Sequence, residues 1–199
     1  MNENKHVLLV PGAFGKITFQ KRLEDDCGDR VKIRSADFQT GSLFFPSYEK
    51  CARVLDGFAN GGFLNEQSTV VAHSAGTIAF IKYLTQNGMK LKKFVSVAGF
   101  TGTLRGGLNK RGLKNKLFHE HMLKHFGFNI TEDVLLRASY LIGERHSFLS
   151  NDDHLIEEAE LRRFAAALNS RPHFLPGFGH FSKTKGIEHI PELAEIIIK

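Results

Sequence analysis

Short aliphatic runs alternate with longer segments of helical period along this chain, beginning with HVLLV at His6–Val10. That run, closed by Pro11-Gly12, predicts a buried strand, and a helix is expected after it over Phe19–Asp26. Arg30–Ile33 reads as a second strand leading into a loop from Asp37 to Pro46. Ser47 can cap the next helix, in which Tyr48, Cys51, Val54, Leu55 and Phe58 share one face. Ser68–Ala72 (STVVA) predicts a third strand, Gly76–Leu84 the helix behind it, and Phe94–Ala98 (FVSVA) a fourth strand. Toward the end come a short strand at Arg145–Ser150, a helix over Leu155–Leu168, a strand at His173–Leu175 and a closing helix over Ile190–Ile198. Strands alternating with helices predict an α/β fold with a mainly parallel central sheet and helices on both faces.

The rhythm breaks between Gly99 and Gly143. Gly102, Gly106, Gly107 and Gly112 fit poorly into a sheet-and-helix core, and two helical pieces follow, Leu113–His125 and a Thr131-capped Glu132–Ile142. An insertion over about residues 100–143 would stand above the C-terminal ends of the strands, where open α/β sheets bind ligands. It reads as a small helical cap, made basic by Arg105, Lys110, Arg111, Lys114, Lys116 and Lys124. A solvated helix face accounts for those charges; a preference for an anionic substrate is the sharper alternative. No repeat or Pro/Ser-rich linker divides the chain, so residues 1–199 are expected to form one domain.

Composition narrows the function classes. Hydrophobic residues make up 42% of the chain and charged residues 24%, enough for a sizeable core and contrary to disorder. No stretch approaches the roughly 20 apolar residues of a membrane span, and the first apolar run is too short for a signal peptide. Cys27 and Cys51 lack metal-ligand spacing, so reduced thiols in a cytoplasmic protein are expected. The net charge of +6 could attract phosphates. Without helix-turn-helix or zinc-finger spacing, no nucleic-acid partner is expected, and the partner is read as a small-molecule substrate.

The sharpest chemical signal is Ala72-His73-Ser74-Ala75-Gly76, set between the strand TVV and the helical run TIAFIKYL. It matches the G-x-S-x-G nucleophile elbow with alanine in the first glycine position. The turn is tight, so the residues two before and two after the serine must be small. Ser74 is thereby lifted clear of the sheet, and the Ala75 N–H at the helix N-terminus can receive a developing oxyanion. A serine hydroxyl also needs a base and an acid to orient that base. His180, flanked by glycine after the strand HFL, is the expected base. Asp153 is the expected acid with Asp152 in reserve, although either aspartate could instead cap the helix expected from Leu155. A second oxyanion donor should come from Pro11-Gly12-Ala13-Phe14-Gly15, as the N–H of Ala13 or of Phe14. Phe44, Phe100 and Phe148 lie near expected strand ends and could line an acyl pocket.

Two other strings lead elsewhere on inspection. The Gly15-Lys16 pair has Val10 where a phosphate-binding loop needs its first glycine and Ile17 where it needs Ser or Thr. His119, His121 and His125 are dense in metal-ligand chemistry, but a zincin would need histidine at 123, which is leucine. No metal and no cofactor are expected.

Together VPGAFG, AHSAG, SNDDHLI and LPGFGHF resemble the small α/β-hydrolase family of serine hydrolases typified by retinoblastoma-binding protein nine and its bacterial relatives. The resemblance spans most of the chain and implies a cofactor-free hydrolase with Ser74, Asp153 and His180 as its triad. Relatives commonly place a tryptophan after the second strand; this chain has none, and Leu43, Phe44 and Phe45 occupy that region. The function expected is hydrolysis of a small ester, thioester or amide through an acyl-enzyme on Ser74. The alternative from another class is a catalytically silent binding module on the same fold.

Overall fold

The protein is described by a computed structural model over residues 5–12, 17–38, 47–105, 124, 127–182 and 186–199. In chain order the strands are Lys5–Val10 (β1), Val31–Ser35 (β2), Thr69–His73 (β3), Leu91–Val97 (β4), Ile142–Leu149 (β5) and Arg171–Phe174 (β6). The helices are Gln20–Cys27 (α1), Tyr48–Asn60 (α2), Ala75–Asn87 (α3), Glu132–Leu141 (α4), Glu158–Ala167 (α5) and Leu193–Ile198 (α6). Every strand pairing is parallel, and the sheet order is β2-β1-β3-β4-β5-β6. This is the α/β-hydrolase arrangement.

The central strands are apolar without alternation because both faces are covered. Val7 to Val10 and Val70 to Ala72 have no solvent exposure. Helix α1 packs with α6, while α2, α3, α4 and α5 pack in series with one another. The order reverses between β1 and β3, so the crevice at their C-terminal ends is the topological switch point where such sheets place a ligand.

Several boundaries differ from those the sequence suggests, each for a physical reason. Strand β4 begins at Leu91 rather than Phe94, since Lys93 is buried and its Nζ reaches Glu144 at 3.0 Å and the carbonyl of Ile196. Strand β5 begins at Ile142, directly after α4, so the chain rejoins the sheet before Gly143. Helix α5 begins at Glu158, not Leu155, with Glu157 in the cap position; neither Asp152 nor Asp153 caps it. The closing helix starts at Leu193 rather than Ile190, behind Pro191 and a left-handed Glu192 at φ 65°. Within the expected cap, residues 100–105, 124 and 127–143 are described. Its glycines 106, 107 and 112 and most of the piece at Leu113–His125 lie outside the described residues, as do His119, His121 and His125.

On the sheet face toward α6, a polar line crosses β5 and β6. His146 Nε2 lies 2.9 Å from Glu144, its Nδ1 lies 2.9 Å from His173 Nε2, and His173 Nδ1 lies 3.1 Å from Glu192. Phe148 stacks on His173 in the same layer. No helix among the described residues is long and apolar enough to cross a membrane.

Candidate active site

The turn from β3 into α3 carries Ser74 at φ 53° and ψ −128°, a backbone that side-chain-bearing residues rarely adopt. The Ser74 N–H continues the ladder to the Val97 carbonyl at 2.9 Å before the chain turns away. Helix α3 starts at the next residue, so the Ala75 N–H belongs to the first-turn donors that have no acceptor within the helix. Crowding explains the small residues. A Cβ on Gly76 would stand 2.4 Å from the Pro11 carbonyl oxygen, and one on Gly12 would stand 3.0 Å from Ser74 Cβ. The loop leaving β1 thus presses against the elbow, as the switch point requires.

The two partners arrive from the neighbouring strand ends. Asp153 follows β5, and both its carboxylate oxygens are used. Oδ1 accepts the N–H groups of Leu155 at 2.8 Å and Ile156 at 3.0 Å, while Oδ2 accepts His180 Nδ1–H at 2.7 Å. His180 follows β6, and its Nε2 lies 2.9 Å from Ser74 Oγ. Because the carboxylate fixes the hydrogen on Nδ1, Nε2 presents a lone pair to the serine hydroxyl. The side chain of Asp153 has 0% exposure and that of His180 6%. Burial alone would raise the Asp153 pKa, but the His180 hydrogen bond and charge and the two backbone N–H bonds outweigh it and hold the carboxyl below its usual value. The Asp153 carboxyl is therefore an anion over the physiological range.

Asp152 stands elsewhere. Its Oδ1 accepts Ser150 Oγ–H at 2.7 Å and the N–H of Gly179 at 2.8 Å, anchoring the loop that carries His180 rather than the His180 ring. Arg105 pins the Asp153 loop from the other side, donating Nη1–H to the Asp153 carbonyl at 2.8 Å and its own N–H to the carbonyl of Leu155. Sequence reasoning singled out neither contact; the adjacent carboxylates of Asp152 and Asp153 were the available signal. Of the expected pocket residues, Phe100 is 2% exposed and Phe148 is fully buried, so both sit in the core. Ala13, Phe14 and Phe44 lie outside the described residues. A cleft of about 260 Å³ beside α5, lined by Thr103, Leu104, Glu157 and Arg163 among others, contains none of Ser74, Asp153 and His180.

Comparison with known proteins adds the family. The serine hydrolase family pattern matches residues 7–198. No curated protein sequence matches this chain. Among solved structures, the ydeN gene product from B. subtilis aligns over 98% of this chain and 97% of its own, with a TM-score of 0.76 and 18% identity. Est816, an N-acyl homoserine lactone degrading enzyme, aligns over 98% of this chain and 92% of its own, with a TM-score of 0.71 and 11% identity. The carboxylesterase CesB from Bacillus subtilis aligns over 98% and 83%, with a TM-score of 0.67 and 9% identity. At such identities these likenesses concern the fold.

Proposed function

Because the chain belongs to the serine hydrolase family, we propose that it cleaves a small ester, thioester or amide by acyl transfer through Ser74. The observation that carries this reading is the unbroken line from Asp153 through His180 to Ser74, with contacts of 2.7 Å and 2.9 Å. Ser74 Oγ attacks the acyl carbonyl as His180 Nε2 takes its proton, and Asp153 holds the tautomer and balances the imidazolium that forms. The tetrahedral oxyanion is received by the Ala75 N–H and by a second N–H from the loop after β1, at Ala13 or Phe14. His180 then returns the proton to the leaving group, and water attacks the acyl-enzyme by the same route in reverse. A carboxylesterase and a lactone-degrading enzyme among the similar folds support an acyl substrate. Cys27 and Cys51 are buried, unbridged thiols, which supports a reducing, cytoplasmic setting.

The test is treatment of wild type and Ser74→Ala with a fluorophosphonate, followed by intact and peptide mass. Wild type should gain one adduct mapped to Ser74, and the variant none. A folded wild type that gains no adduct would sink the hydrolase reading in favour of a binding role.

A further inference from the structure

The loop that delivers the base is bent on both sides of it. Gly179 has φ 54° and Phe181 has φ 50°, and Phe181 holds that conformation despite a fully enclosed side chain. Left-handed backbone at a residue with a Cβ persists only where neighbours hold it. One hold has been described, the Gly179 N–H on Asp152. The other comes from the elbow itself. His73, the residue before Ser74, places its Nε2 2.9 Å from the carbonyl oxygen of His180.

His73 is buried, with its ring centroid 5.1 Å from that of His180 and the ring of Phe19 edge-on at 6.5 Å. A carbonyl can only accept, so Nε2 must carry the hydrogen. Burial, reinforced by the neighbouring His180 ring, pushes the His73 pKa down to about 3 against the opposing pull of the carbonyl bond and Asp153. The ring therefore stays neutral, and its donor stays in place, wherever an imidazole could serve as base.

We propose that His73 is a positioning residue: its Nε2–H, donated to the main-chain carbonyl of His180, locks the turn that aims the His180 imidazole at Ser74. The inference rests on the hydrolase reading above. It makes the elbow a two-handed element, in which one residue attacks and the one before it steadies the base.

The first test needs no variant. Nitrogen NMR of wild type at pH 6 to 7 should find His73 as the neutral Nε2–H tautomer with a slowly exchanging proton; an Nδ1–H tautomer or an imidazolium overturns the proposal. The second compares His73→Gln, whose side-chain amide can present N–H near the same point, with His73→Met, of similar length but without a donor. With both folded by thermal melting, His73→Gln should keep kcat within about threefold of wild type. His73→Met should lose about 10- to 100-fold in kcat with KM nearly unchanged, the signature of a base held off its line. The low-field proton of the His180–Asp153 bond should persist in the Gln variant and weaken in the Met variant. Equal activity of the two variants, whether both high or both low, overturns the proposal. Should His73→Met fail to fold, a folded but inactive His73→Gln overturns it alone, and an active one supports it. Absence of a Ser74 adduct in wild type would sink the hydrolase reading instead and leaves the tautomer result standing on its own.

Discussion

Two chains of histidine and carboxylate run through this molecule. One joins Asp153, His180 and Ser74 at the C-terminal ends of the strands. The other joins Glu144, His146, His173 and Glu192 across β5 and β6. Both set histidine against a carboxylate at similar distances, and both keep their imidazoles largely out of water. Their ends differ. The first terminates in a hydroxyl, which can give up a proton, and its carboxylate is fully enclosed. The second terminates at both ends in carboxylates, which at neutral pH only accept, and these stand half or more exposed. Each of its histidines meets a carboxylate on one side and the other imidazole on the other, so the line offers no hydroxyl to deprotonate. On the proposed function, an acid–histidine pair is not itself a catalytic sign; the third member and its place at a strand end distinguish the two.

Four experiments sharpen or break that contrast. The largest effect is expected from Asp153→Asn, which frees the His180 tautomer and should lower kcat by about 10³- to 10⁴-fold in ester hydrolysis. A loss under tenfold would mean that Asp153 is no more functional than Glu144. Acid titration should come next. Since the His73 pKa falls to about 3 in the folded state from 6.5, the unfolded chain binds the extra proton first. The stability contribution is complete above 6.5 and declines as pH falls toward 3, by on the order of 4 kcal/mol. Asp153, lowered from 3.8, contributes stability above that value and adds a further loss as pH drops through its folded value. Denaturant midpoints measured across this window should shift much less in a folded His73→Gln variant.

A smaller effect is expected for Asp152→Ala. It leaves the Gly179 N–H without its acceptor and should reduce kcat about tenfold while Asp153 still holds the imidazole. Smallest of all, His146→Gln and His173→Gln should each change activity less than about twofold. Thermal melting should register them instead, with a loss of roughly 1 kcal/mol from the buried network. A catalytic defect in either variant would erase the distinction between the two chains.

The part of this structure nearest the nucleophile is also the part most legible in the sequence. TVVAHSAG shows a strand buried on both faces, the small residues of a tight turn, and a helix start, all within eight positions. Each feature there answers to local sterics, as Gly76 against the Pro11 carbonyl shows. The places of Asp153 after β5 and His180 after β6 were legible from the run of strands. What hid from the sequence depended on partners far along the chain. Lys93 looks like a surface lysine until Glu144 and the end of α6 enclose it, so the start of β4 was read three residues late. Strand β5 follows α4 with no glycine, proline or cap between Leu141 and Ile142, so its start carried no punctuation. Asp153 is preferred over Asp152 on chain order alone, because both reach the loop after β6 and only the fold decides which meets the ring of His180 and which the N–H of Gly179. His73 was visible only as a letter in the elbow, since its hydrogen bond spans 107 residues.

That long reach has a consequence for how the enzyme comes into being. Ser74 and His180 touch across 106 intervening steps of chain, whereas Asp153 and His180 are 27 apart. Among the described residues β6, the edge strand that precedes His180, pairs with β5 alone. A nascent chain halted before β6 can hold Ser74 and Asp153 yet lacks His180. On the proposed reading, reactivity at Ser74 is then lost whenever the β5–β6 edge frays, even while the elbow stays folded.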